Sequence, residues 1–140
     1  KGKGGKEMKF NSQICTTREQ SERLLALGLK KETADMWYPH FASTCPIPLV
    51  DETLASDDIP AWSLHRLIEM IPKCVRSHSS EDDSLRHLYV PKFDYQGVTI
   101  DNIDEIFADF YQHTDLFDNI IDCIEWLIKE GYFNKEYLED

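Results

Sequence analysis

The sequence predicts an α+β fold: a single compact domain in which four or five helices pack on a small, mostly antiparallel sheet. Three observations carry this expectation. Apolar residues recur at helical spacing near both ends of the chain, at Leu24, Leu25 and Leu27 and again from Ile103 to Ile128. Prolines at 39, 46 and 48 exclude a long helix from the stretch between Pro39 and Asp58. Two β-branched and aromatic runs flank the polar segment Ser79 to Ser84 and read as a hairpin. At 140 residues the chain fits one domain and needs no disulfide or metal to fold.

The elements follow in order. Residues 1–8 are Gly/Lys-rich and read as a flexible leader, with the domain running from 9 to 140. A helix is expected from about Arg18 to Leu27, opened by a capping box at either Thr16–Glu19 or Thr17–Gln20 and stopped by Gly28, with Leu29 making the apolar contact after it. Thr33 starts a short turn, and Trp37-Tyr38 changes to extended chain. Ile47 to Val50 reads as a short strand. The next helix is expected over Ile59–Pro72, capped by Asp58, with Pro60 in its first turn and Leu64, Leu67, Ile68 and Ile71 on one face.

Two strands are expected near 74–78 and 86–93, with Pro91 at a sheet edge or a strand end. Gly97 marks a bend, and Val98-Thr99-Ile100 adds a short strand. Behind Asp101 as a cap, Ile103, Ile106, Phe107, Phe110 and Tyr111 fit a helix. After His113-Thr114-Asp115, Phe117, Ile120, Ile121, Ile124, Leu127 and Ile128 repeat the pattern up to Gly131. These are two amphipathic helices, or one with a kink.

Charge narrows the functions open to the chain. The net charge is −11, and it is uneven: residues 1–50 carry +3, residues 51–92 carry −3 and residues 93–140 carry −11. Between Phe93 and Ile128 there is no Lys or Arg, yet nine carboxylates. A field of that sign repels phosphate backbones, so nucleic acid is not an expected partner. No apolar run is long enough to cross a bilayer, so a membrane is not expected either. Cys15, Cys45, Cys74 and Cys123 form no CxxC or CxH pair, and the leader lacks the apolar core of a signal peptide. Four reduced thiols in a cytoplasmic protein are the expectation.

The candidate sites are few. Asp118, Asp122 and Glu125 share a helix face, as do Asp101, Glu105 and Asp109 on the preceding expected helix. Without an EF-hand loop or a Glu-x-x-His pair they read as solvated faces, with Glu125 and Lys129 as a favourable i, i+4 pair. Ser63 and His65 stand two apart on a helix and point away from each other, which leaves no Ser–His pair. His78, His87 and Cys74 have no ligand spacing of their own. No catalytic, cofactor-binding or metal residue is therefore assigned, and no cofactor is expected. The remaining candidate is an interaction surface: Trp37 and Tyr38, if exposed, together with Asp118, Asp122 and Glu125.

The phrases Ile59-Pro60-Ala61-Trp62-Ser63-Leu64, Thr17-Arg18-Glu19-Gln20-Ser21, Leu24-Leu25-Ala26-Leu27-Gly28-Leu29 and Ile124-Glu125-Trp126-Leu127 resemble, in the same order, a group of small uncharacterised proteins of Bacteroides-type gut bacteria and their prophages or mobile elements. The resemblance covers most of the chain and carries no activity, cofactor or site residue with it. The expected function is thus a non-enzymatic cytoplasmic accessory protein acting on another, basic, protein. The alternatives are an acidic nucleic-acid mimic that inhibits a DNA-binding protein, and a small metal-dependent hydrolase.

Overall fold

The computed structural model describes residues 12–40, 46–49, 54, 57–78 and 87–140. The leader, Phe41, Cys45, Val50 and the Ser79–Ser84 turn lie outside them. Helix α1 spans Arg18–Ala26. Of the two possible boxes, Thr17–Gln20 forms: the Gln20 amide donates to Thr17 Oγ1 at 3.1 Å, and the Thr17 amide donates to Gln20 Oε1 at 3.0 Å. Gly28, at φ 103°, ends the helix in the left-handed region. The Leu29 amide then reaches Leu24 O and the Gly28 amide reaches Leu25 O, with Leu24 and Leu29 both buried beside each other's turn.

After a 3-10 turn at Lys31–Thr33 come β1 (Met36–Tyr38), β2 (Ile47–Pro48) and β3 (Ile59–Ala61). They form an antiparallel sheet in the order β2-β1-β3. The expected helix over Ile59–Pro72 is shorter than its apolar run: Ile59 to Ala61 is a strand, and α2 covers only Leu64–Met70. Pro60 is accommodated because β3 is an edge strand, paired on one side alone with β1. Ser63, not Asp58, caps α2, accepting from the Arg66 amide at 3.1 Å. The apolar face still does its work, since Leu67 and Ile71 are buried.

The second sheet is a meander of β4 (Val75–Arg76), β5 (Leu88–Phe93), β6 (Val98–Asp101) and β7 (Ile106–Phe110), each antiparallel to the next. The expected helix over Ile103–Tyr111 is therefore a strand. Asn102 accepts from the amides of Asp104 and Glu105 at 2.9 Å each, which turns the chain where a helix was to start. The register of β7 on β6 then shifts between Ile100 and Asp101. This irregularity lets Phe107 pack inward on Tyr89, with ring centroids 4.4 Å apart, while Ile106 faces solvent. Apolar residues at 106, 107 and 110 thus imitate helical spacing. Ile103, taken as core from the sequence, is 98% exposed.

Helix α3 spans Leu116–Glu130, capped by Asp115 and ended by Gly131 at φ 82°. Its buried residues Phe117, Ile120, Ile121, Cys123, Ile124 and Leu127 meet Val98, Ile100 and Tyr89 from the sheet and Leu24 and Leu67 from the other helices. Each such aliphatic side chain contributes about 1.5–3 kcal/mol by leaving water. The chain end returns to pair with α1's exit: Glu139 N donates to Gly28 O and Lys30 N to Tyr137 O. Among the described residues there are three α-helices and two 3-10 turns, fewer helices than expected. None of these helices is long and apolar enough to cross a membrane.

Candidate interaction surface on the four-stranded sheet

The residues expected to form a contact patch lie elsewhere than the sequence implied. Trp37 and Tyr38 are interior residues of β1, 8% and 9% exposed, and so form no surface patch. Tyr38 donates to Thr16 O at 2.8 Å, and burial pushes its hydroxyl pKa well above the usual range. Cys15 packs against it as a buried thiol. Cys123 is buried in α3, where desolvation pushes it up to about 12, whereas Cys74 is exposed.

Asp118, Asp122 and Glu125 do share a face of α3, but that face turns towards α1. Gln20 Nε2 donates to Asp118 Oδ1 at 2.8 Å and to Asp115 Oδ2 at 3.0 Å. Arg23 Nη2 meets Asp122 Oδ1 at 2.6 Å and Glu125 Oε1 at 3.0 Å, while Lys129 lies 3.9 Å from Glu125. His113 Nε2 reaches the other Asp122 oxygen at 2.9 Å. These groups serve as the α1–α3 contact. The three side chains of the Arg23 cluster keep roughly a quarter to a third of their exposure, so solvent screens them. Arg23→Ala is expected to cost about 0.5–1.5 kcal/mol in urea denaturation, shrinking in high salt. An unchanged midpoint would show that the pairs are ornamental.

Asp101, Glu105 and Asp109, expected along one helix face, part company. Asp101 pairs with Lys92 at 2.8 Å, and Glu105 accepts from the Tyr89 hydroxyl at 2.5 Å. Asp109 stays exposed in β7. The strands alternate as a half-buried sheet should: Tyr89, Val98, Ile100 and Phe110 face α3, and Val90, Lys92, Thr99, Asp101 and Asp109 face away. That outer face has no helix on it among the described residues. It leaves Val90 42%, Ile106 62% and, in the β6–β7 turn, Ile103 98% exposed.

One end of this face is built with care. In the β5–β6 turn, Asp94 Oδ1 accepts from the amides of Gln96 and Gly97 at 2.8 and 2.9 Å, and these two donors hold its carboxyl below the usual range. Tyr111 donates to Asp94 Oδ2 at 2.9 Å and lies 3.0 Å from the Thr99 hydroxyl. Behind them Asn119 of α3, wholly buried, donates to Gln96 O and His113 O and accepts from His113 N. It ties the β5–β6 turn to the β7–α3 loop. Between these two segments lies a cleft of about 340 Å³ lined by Gln96, Tyr111, Gln112, His113 and Thr114.

Ser63 Oγ donates to Asp35 Oδ2 at 2.5 Å while capping α2, so it is spent on structure, and His65 is exposed. His78 stacks on Tyr132 and its Nε2 lies 2.8 Å from Glu130 O. The sequence spacing missed His40, Asp57 and Asp58, whose ligand atoms lie within 4.8 Å of one another. His40 Nδ1 is 3.0 Å from Asp58 Oδ1, and this contact raises the imidazole pKa. His40 and Asp57 are exposed and Asp58 is buried, and the three pair across the surface as an acid–imidazole cluster.

Fold and surface together define a small α+β domain with one antiparallel sheet open to solvent on a face. The chain matches no family model, no curated protein and no solved structure.

Proposed function

We propose that the chain is a non-enzymatic protein-binding module, an accessory protein whose contact surface is the outer face of the four-stranded sheet and whose partner is a basic protein. The observation that carries this is the exposure of Val90 and Ile106 on the outer face, and of Ile103 in the turn beside it, where the neighbouring charges are carboxylates apart from Lys92 and Arg76. Apolar anchors within a charged surround are the anatomy of a specific protein contact. The buried thiols of Cys15 and Cys123 fit a cytoplasmic setting, and the sequence resemblance fits an origin in a bacterial mobile element. Nucleic-acid mimicry fits less well, because Arg23, Gln20 and Lys92 engage Asp122, Glu125, Asp118 and Asp101 within the chain and interrupt any continuous acidic band.

The test is affinity capture from cells that make the chain, with tagged wild type run beside Ile103→Asp/Ile106→Asp and Trp37→Phe. A basic protein retained by wild type and Trp37→Phe, and reduced at least about tenfold by the double variant, is the expected result. Equal recovery by the double variant would remove the outer face from the reading.

A further inference from the structure

We propose that β7 takes up an extended, lysine- or arginine-rich segment of the partner as a fifth strand, paired through the main chain of Asp109. This rests on the binding-module reading above and says how the partner would be held.

The topology supplies the place. Strand β7 ends the meander, and among the described residues nothing pairs with its far side. The register then fixes which groups look outward. Asp94 N donates to Gly97 O, so Lys92–Thr99 and Val90–Asp101 are the pairs that exchange hydrogen bonds between β5 and β6. Val98 and Ile100 therefore turn their main chain to Phe110 and Ala108. Asp109, between those two, presents its N–H and C=O to the open edge. Such an edge is a template for another strand, with main-chain bonds giving affinity and alternate side chains giving selectivity.

Charge selects the occupant. A second copy would bring −11 against −11 and set one acidic edge on another. A phosphate backbone is repelled by the same field. An extended chain alternating cations with apolar residues matches what the edge offers: its cations all fall on the outer face beside Asp109, with Asp104 in the turn before it, and its apolar residues fall on the inner side, where Phe107 and Phe110 lie. An acid in mid-edge and a bulge beside it discourage self-pairing, and the same acid attracts a basic strand.

The probe is a blocked octapeptide alternating lysine and valine, added to the isotope-labelled chain. Beside it stand a glutamate–valine peptide and a lysine–valine peptide N-methylated at every second residue. Strand addition predicts that the lysine–valine peptide slows hydrogen exchange at the Asp109 amide by at least about tenfold, and that the other two peptides do not. Asp109→Pro, which removes an amide that β6 does not use, should abolish binding, and Asp109→Asn should weaken it and flatten its salt dependence. The N-methylated peptide serves as the same test on an unaltered chain should the proline variant misfold. Exchange left unchanged by the lysine–valine peptide, or slowed equally by its N-methylated form, would overturn the proposal. Shifts confined to Val90, Ile103 and Ile106 would overturn strand addition too, yet leave the outer-face reading standing. That reading fails separately, in the capture experiment.

Discussion

Asn119→Ala is expected to destabilise the chain by about 2–4 kcal/mol, among the largest effects of any single polar substitution. Asn119 is fully buried within α3 and uses both ends of its amide: Nδ2 donates at 2.7 Å to Gln96 O and at 2.9 Å to His113 O, and Oδ1 accepts from His113 N at 2.9 Å. Alanine removes the partners of three part-buried main-chain groups, one of Gln96 and two of His113. Leaving one buried group without a partner costs about 1–3 kcal/mol, and the loops can recover part of that by opening to water. The loss should therefore fall short of three full penalties. Urea denaturation measures it, with an unaltered m-value marking a change in stability rather than in the exposed surface. Asn119→Asp separates hydrogen bonding from shape. The carboxylate still accepts from His113 N but faces two carbonyl oxygens where it should donate, so it should be worse than alanine at neutral pH. Protonation restores one donor, and its deficit should narrow as the pH falls. An aspartate variant as stable as wild type at pH 7 would show that the two donated bonds contribute nothing.

Asn119 also shows what a sequence can and cannot disclose. It sits three residues after Leu116 and four before Cys123, on the stripe that the helical period assigns to the core. A polar residue on that stripe was a legible signal, and its carbonyl partners 23 and 6 residues away were not. Helices α1 and α3 were legible because caps, period and terminal glycines agree at both ends. The strand at Ile106–Phe110 was not, because a bulge gave its apolar residues the spacing of a helix turn. At Ile59-Pro60-Ala61 the apolar run continues smoothly into α2, and only pairing with β1 makes its start a strand. Trp37 and Tyr38 were open to either reading until the small sheet covered them. The Arg23 pairs with Asp122 and Glu125 join residues about a hundred positions apart, beyond any local pattern. So the basic-free stretch from Phe93 to Ile128 divides. Its helical half is answered by Gln20 and Arg23, and its strand half carries the open face.

Gly97→Ala tests that strand half directly, with an expected cost of about 2–3 kcal/mol and a melting point lower by roughly 6–12 °C. The glycine is needed for space rather than for backbone conformation, since its φ is not positive. A Cβ at this position would stand 2.1 Å from Phe110 O and 2.9 Å from a Tyr111 ring carbon. The first obstacle is a main-chain carbonyl beside the paired Val98–Phe110 position, which cannot step aside without parting β6 from β7. Against this, alanine restricts the unfolded chain, a gain of about 0.4–1 kcal/mol that the clash outweighs. The substitution should also loosen the Tyr111 hydroxyl from Asp94 and Thr99, visible as a shift of the Gln96 amide. A double-mutant cycle with Tyr111→Ala locates the strain. Most of the cost should survive removal of the ring, because the nearer atom is the carbonyl. A cost that vanishes in the Tyr111→Ala background would place the clash at the side chain, and Gly97 would then be guarding the tyrosine's seat rather than the joint between the two strands.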